Sequence, residues 1–235
     1  RPQLNGPRRP RAELGLPEGK HIYLCPQSLF KFHPEFDPLL AEILRNDRDG
    51  VVAIVEAAHP SWNKALADRF KRSMGDVVQR IVWVPRLKQD AFLHLLATSE
   101  VMLDPLHFGG GNTSYEGLGV GTPVVTLPSA FMRGRVTLGC YRQMELMDCV
   151  ARDAEHYVEL AGQLACDSEH RQTISERILA AGDRLFEDRS VVKEIEDFLT
   201  RAVDESRESN QTKAEVPLPK MMVPHVDFLS PRPTV

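Results

Sequence analysis

Three consecutive glycines, Gly109, Gly110 and Gly111, run directly into Asn112, Thr113 and Ser114, between an apolar run that closes on Asp104-Pro105 and another that opens at Pro123. Residues without a Cβ let backbone N–H groups approach an anion, and a helix start adds unpaired donors and a positive dipole end. The segment reads as strand, glycine loop, helix, strand, and as a phosphate cradle. Each part has a second reading. The glycines also suit a tight turn, and Thr113 with Glu116 has the Thr-x-x-Glu form of a capping box, in which each side chain satisfies a backbone donor of the other residue. Glu116 alternatively accepts hydrogen bonds from a ribose diol lying one step beyond the phosphates.

A second group of polar residues, Gln27, Ser28 and Lys31, follows an earlier apolar run. A lysine ammonium facing a helix N-terminus suits a diphosphate, because the two supply positive potential from opposite sides. A solvated loop lysine is the alternative. His107 stands beside the glycines as a phosphate contact or a base, whereas His33, His59 and His94 fit loop and helix surfaces. Asp47-Arg48-Asp49 has the Asp-x-Asp form of a metal–diphosphate site, but it precedes a strand and reads as a turn. The four cysteines, Cys25, Cys140, Cys149 and Cys166, show no Cys-x-x-Cys pair or His-rich spacing, so reduced thiols and no metal site are expected. The glycines between Gly109 and Gly121 lack the position and the downstream acid of a dinucleotide fingerprint.

These groups need a scaffold, and the chain alternates to supply one. Apolar, β-branched runs at 21–25, 51–56, 80–84, 100–103 and 123–127 predict buried strands, with a weaker candidate at 148–151. Helical patterns lie between them at 36–46, 61–74, 88–98, 113–120 and 131–146. That alternation predicts an α/β, Rossmann-like, doubly wound parallel sheet with right-handed crossovers. In the strand order 3-2-1-4-5, strands one and four meet at the switch point, so loops 26–35 and 105–111 flank one crevice at the carboxyl edge. Packing helices are expected at 153–166, 168–182 and 190–203. A Pro/Arg-rich linker over 1–18, a lobe over 19–203 and a Pro-rich disordered tail over 204–235 complete the expected organisation.

Composition bounds the partners. Across 235 residues, 42% are hydrophobic and 26% charged, and the net charge is −4, which argues against nucleic acid as a partner. No apolar run reaches the roughly 18 residues of a membrane span and no secretory signal opens the chain, so a cytoplasmic location is expected.

Gln27-Ser28-Leu29-Phe30-Lys31, Arg80 through Pro85, and Asp104 through Pro128, above all Gly-Gly-Asn-Thr-Ser-Tyr-Glu and Gly-Thr-Pro-Val-Val-Thr-Leu-Pro, together resemble the catalytic C-terminal half of protein O-GlcNAc transferases. The likeness covers roughly residues 20–203, and is nearer to the bacterial members that carry tetratricopeptide repeats. It implies the C-terminal lobe of a GT-B glycosyltransferase with a UDP-sugar donor, no cofactor or metal, a protein or glycan acceptor, and an N-terminal catalytic lobe and repeats upstream. Lys31 then matches the lysine on the donor diphosphate, and Asn112 and Thr113 the phosphate-binding helix start. Glu116 takes the place of an aspartate that binds ribose, while Arg86, Leu87 and Gln89 surround the base. Two positions depart from the pattern: Phe92 and Gly111 stand where the animal enzymes have histidines, so stacking on the base would fall to Phe92. A nucleotide- or partner-binding module without transferase activity, and a sugar epimerase of the same two-lobe fold, are the alternative functions.

Overall fold

The computed structural model describes the backbone of residues 1–215 and the side chains of residues 1–208. Strands β1 (His21–Cys25), β2 (Gly50–Val55), β3 (Ile81–Val84), β4 (Val101–Leu103) and β5 (Val124–Val125) form one parallel sheet in the order β3-β2-β1-β4-β5. The register sets His21 beside Gly50 and Tyr23 beside Val101. β1 is the central strand, and Ile22, Tyr23, Leu24 and Cys25 are wholly buried, as a strand covered on both faces requires.

The covering helices are α1 (Phe36–Asn46), α2 (Pro60–Ser73), α3 (Gln89–Thr98), α4 (Asn112–Gly119), α5 (Val136–Met144), α6 (Ala154–Cys166) and α7 (Ser168–Ala180), followed by the short α8 (Gly182–Leu185). The large buried tyrosines each place the hydroxyl on a partner. Tyr23 donates to Asp47, Tyr157 to the Asp104 carbonyl, and Tyr141 both receives from the Val124 N–H and donates to the Val124 carbonyl.

Four expectations change. The helix expected at 131–146 is a 3₁₀ turn at Met132–Gly134 followed by α5, with Glu145 in the left-handed region ending it. Gly134 packs so close to Ser129 that a Cβ there would lie 2.2 Å from its hydroxyl, which makes the turn a glycine site. The sixth strand shrinks to one parallel bridge, Thr126 to Val150, flanked by hydrogen bonds from the Thr126 N–H to Cys149 and from the Ala151 N–H to Thr126. The next ladder donor would come from residue 128, a proline with no N–H.

The segment 1–18 is not a solvated linker. It forms a 3₁₀ turn at Arg11–Leu14 and buries Leu14 and Leu16 in the core, while Arg11 pairs with Glu100 at 2.6 Å and Arg9 pairs with Asp90. At the other end α9 runs from Ser190 to Glu215, so residues 204–215 are helical where a disordered tail was expected. The prolines of that expected tail, from Pro217 onward, lie outside the described residues. The chain divides into a unit Arg1–Glu187, which contains the sheet, and a unit Asp188–Val235, which contains α9. No helix among the described residues is long and apolar enough to cross a membrane.

Candidate functional site

Because β1 and β4 are neighbours, the loops that leave their carboxyl ends meet. A 3₁₀ turn at Leu29–Lys31 brings Lys31 over the glycine loop, where its Nζ donates to the Gly109 carbonyl and to Gln27 Oε1, both at 2.9 Å. Gln27 in turn donates through Nε2 to Thr113 Oγ1 at the start of α4. The ammonium also lies 4.7 Å from the centre of the Phe108 ring. Two of its three protons are engaged, and the third remains for an anion. Burial pulls the Lys31 pKa below its ordinary value, with Asp104 and Cys25 opposing the shift.

The glycines divide the work unequally. The Gly109 N–H donates to the Arg133 carbonyl at 2.9 Å, and the Gly110 N–H to Asp104 Oδ1 at 2.6 Å. Their lack of a Cβ is a packing requirement. A Cβ on Gly109 would lie 2.7 Å from Asp104 Oδ2, and one on Gly110 2.2 Å from Ser114 Oγ. Gly111 faces open space. Among the described residues, the N–H groups of Gly111, Asn112 and Thr113 have no protein acceptor, as the first turn of a helix leaves them. The anion-facing donors are therefore the last glycine and the helix start.

Asp104 holds this loop in shape from below. Its buried carboxylate accepts from the Gly110 N–H and from Thr126 Oγ1 at 2.8 Å. Burial drives its pKa up, against the lowering influence of Gly110, Thr126, Thr137 and Lys31. Ser114 is buried as well, and its hydroxyl meets Thr137 at 2.8 Å, so it anchors α4 to α5 behind the cradle.

Glu116 is not a helix cap. Gly111 occupies the N-cap position and no side chain caps the helix, so Thr113 lies inside α4 and its hydroxyl oxygen accepts from Gln27 Nε2. Glu116 instead accepts from Gln89 Nε2 at 2.6 Å, across from the first turn of α3. That frees the carboxylate from the backbone and leaves its remaining lone pairs at the crevice.

A cavity of about 270 Å³ adjoins the cradle, lined by Gln27 and Ser28 on one side and by Leu87 and Phe92 on another. Glu56, His59, Trp62 and Arg86 complete its wall. His107 lies to the other side in the left-handed region, at φ 67°, with Nε2 2.8 Å from Glu35 Oε2 and its ring 4.6 Å from that of His33. That contact holds the Glu35 carboxyl below the ordinary range, with His33 adding to the effect and burial opposing it. The ring of His107 thus clasps the two loops together.

The residues expected from the sequence fall into three groups. Gln27, Lys31, Gly111, Asn112, Thr113, Gln89 and Glu116 converge on the cradle, with Ser28, Leu87 and Phe92 on the adjoining cavity. Gly109, Gly110 and Ser114 pack behind it, and His107 turns to Glu35. Asp104, Thr126, Glu35, Phe108 and the residues 56, 59 and 62 were not anticipated. The one available signal was an acid closing the apolar run before Pro105, since a carboxylate there must find donors.

Over residues 8–195 the sequence matches the profile of glycosyl transferase family 41. The chain belongs to that family. Among curated relatives, the UDP-N-acetylglucosamine--peptide N-acetylglucosaminyltransferase of Giardia intestinalis is 24% identical over 178 residues, which is 75% of this chain and 12% of that protein. Its counterpart in Caenorhabditis elegans is 22% identical over 191 residues, 80% of this chain and 16% of the relative. A solved variant of the Thermobaculum terrenum O-GlcNAc transferase superposes with a TM-score of 0.71 at 26% identity, over 78% of this chain and 36% of that one. The family 41 match thus embraces the whole cradle, while the chain spans only a small part of the length of these relatives.

Proposed function

We propose that this lobe binds the nucleotide diphosphate of a UDP-sugar, of the UDP-GlcNAc class, for transfer of the sugar to a hydroxyl, with protein serine or threonine as the acceptor. The observation that carries this reading is the network from Gly109 through Lys31 and Gln27 to Thr113. It aims a half-buried ammonium at the same space as the three open N–H groups of Gly111, Asn112 and Thr113. Family membership and the names of the relatives support the choice of sugar nucleotide.

In the proposed reaction the acceptor oxygen attacks the anomeric carbon from the face opposite the diphosphate. The bond from that carbon to the β-phosphate oxygen breaks, its electron pair leaves with UDP, and the hydroxyl proton passes to a base outside this chain. Negative charge grows on the diphosphate as the bond breaks. Lys31 and the α4 start face that charge already oriented, so they stabilise the transition state more than the ground state. They supply locally the positive potential that the leaving group needs, and transfer is expected without a metal ion. The cavity at Leu87 and Phe92 takes the base, with the Phe92 ring as a stacking surface, and Glu116 takes the ribose hydroxyls.

Titration calorimetry with UDP in chelator-treated buffer tests the assignment. Lys31→Ala is expected to lower the affinity at least tenfold, or about 1.4 kcal/mol, while the melting temperature stays near that of the parent. Equal affinity in the two proteins would remove Lys31 from the site.

A further inference from the structure

At the opposite, amino edge of the sheet, three side chains from three separate elements bring metal-binding atoms together. His21 opens β1, Asp47 follows the last residue of α1, and Cys166 closes α6. His21 Nδ1 lies 2.8 Å from Asp47 Oδ2 and 3.8 Å from Cys166 Sγ, and the three donor atoms all fall within 4.8 Å of one another. We propose that His21, Asp47 and Cys166 form a binding site for a divalent ion of the zinc class, which ties the start of the central strand to the ends of two helices.

The chemistry of the donors points to zinc. One thiolate, one imidazole nitrogen and one carboxylate oxygen are the ligand types that this borderline-soft ion takes, and thiolate and carboxylate together balance its charge. Bonds of about 2.0–2.3 Å in a tetrahedron place ligand atoms about 3.4 Å apart, so the separations from His21 Nδ1 to Asp47 Oδ2 and to Cys166 Sγ, 2.8 and 3.8 Å, each lie about half an ångström from that spacing. Asp47 is held for the role: its Oδ2 accepts from the Tyr23 hydroxyl at 2.9 Å and its Oδ1 from the Asp49 N–H at 3.0 Å. Such partners orient a ligating carboxylate. Binding releases the thiol proton to solvent and moves the imidazole proton to Nε2, leaving Nδ1 to face the ion and a fourth position for water. A second trio of donors, His33, Glu35 and His107, is exposed and sits on loops, without a thiol. Positions at the ends of a strand and two helices are the better defined of the two.

The test uses the full chain, freed of metal by a chelator and titrated with Co²⁺. Cys166 is exposed whereas Cys25, Cys140 and Cys149 are buried, so thiolate signals report on it. One equivalent is expected to produce a thiolate-to-cobalt charge-transfer band with tetrahedral visible bands, both abolished when Zn²⁺ displaces the cobalt. Zinc is also expected to raise the melting temperature and to slow alkylation of Cys166 by iodoacetamide at least tenfold. Cys166→Ser, a change at an exposed position, should lose the charge-transfer band and the zinc-induced rise in melting temperature, and His33→Ala should keep both. Absence of the band in the parent overturns the proposal. So does its survival in Cys166→Ser, or a zinc stabilisation that His33→Ala removes and Cys166→Ser retains.

Discussion

Gly110 and Gly111 are adjacent and chemically identical, yet their surroundings assign them opposite tolerances. An added methyl at 110 would stand 2.2 Å from Ser114 Oγ, which Thr137 holds in place, and 3.0 Å from Gln27 Nε2; at 111 it meets nothing within 4 Å. Overpacking of a fixed neighbour costs about 1–3 kcal/mol. Gly110→Ala should therefore lower the thermal midpoint and weaken UDP binding by shifting Gln27 and the α4 start, while Gly111→Ala keeps both close to the parent. Thermal melts and calorimetry on the two variants check this, and equal losses would show that the run acts as a single flexible loop. Glu35 offers a pH readout of the neighbouring clasp. Its carboxyl is held low chiefly by the hydrogen bond from His107, so the contact stabilises above the ordinary glutamate pKa of about 4.3 and fades as the pH falls through the depressed folded value. Carboxyl NMR titration should find Glu35 ionising below that value, and His107→Ala should return it upward.

Element boundaries were legible where local pattern and packing agree. β1 at 21–25 and α1 at 36–46 fall where the apolar runs and helical periodicity put them, and the strand order is the common one taken for such an alternation, 3-2-1-4-5. That order alone brought Lys31 and Thr113 to one crevice. It carried no information on which side chain meets which, so the bond from Gln89 to Glu116 and the packing of Gly109 on Asp104 were out of reach, and a capping box stood in their place. The linker reading of the first residues failed for a related cause: prolines and arginines look solvated until Leu14, Leu16 and the acceptor Glu100 supply a surface for them. β5 illustrates an element sustained from outside. It has two residues, and the Tyr141 hydroxyl of α5 answers both the N–H and the carbonyl of Val124. Removing that hydroxyl leaves two buried backbone groups unpaired, at about 1–3 kcal/mol. Tyr141→Phe should lose stability of that size in urea titrations with little change in UDP affinity, because the ring remains and the hydroxyl bonds to Val124, outside the network of Lys31, Gln27 and Thr113. An unchanged midpoint would mean that the edge strand does not depend on the tyrosine.

At the scale of the whole molecule, the cradle, the adjoining cavity and, among the described residues, the buried core belong to the unit Arg1–Glu187. The helix Ser190–Glu215 contributes no buried residue among those whose side chains are described, and Val191, Val192, Ile195, Phe198 and Leu199 are each about half exposed. A chain ending at Glu187 keeps every residue of the cradle and of the adjoining cavity, and is therefore expected to bind UDP with the same affinity. Neither protein is expected to transfer sugar to a protein acceptor alone, since the base and the acceptor contacts of the proposed reaction come from outside the cradle. Calorimetry and a transfer assay on both chains decide the matter. A loss of UDP binding on truncation would give α9 a part in the site, and transfer by the truncated chain would place the acceptor machinery within the same 187 residues that form the cradle.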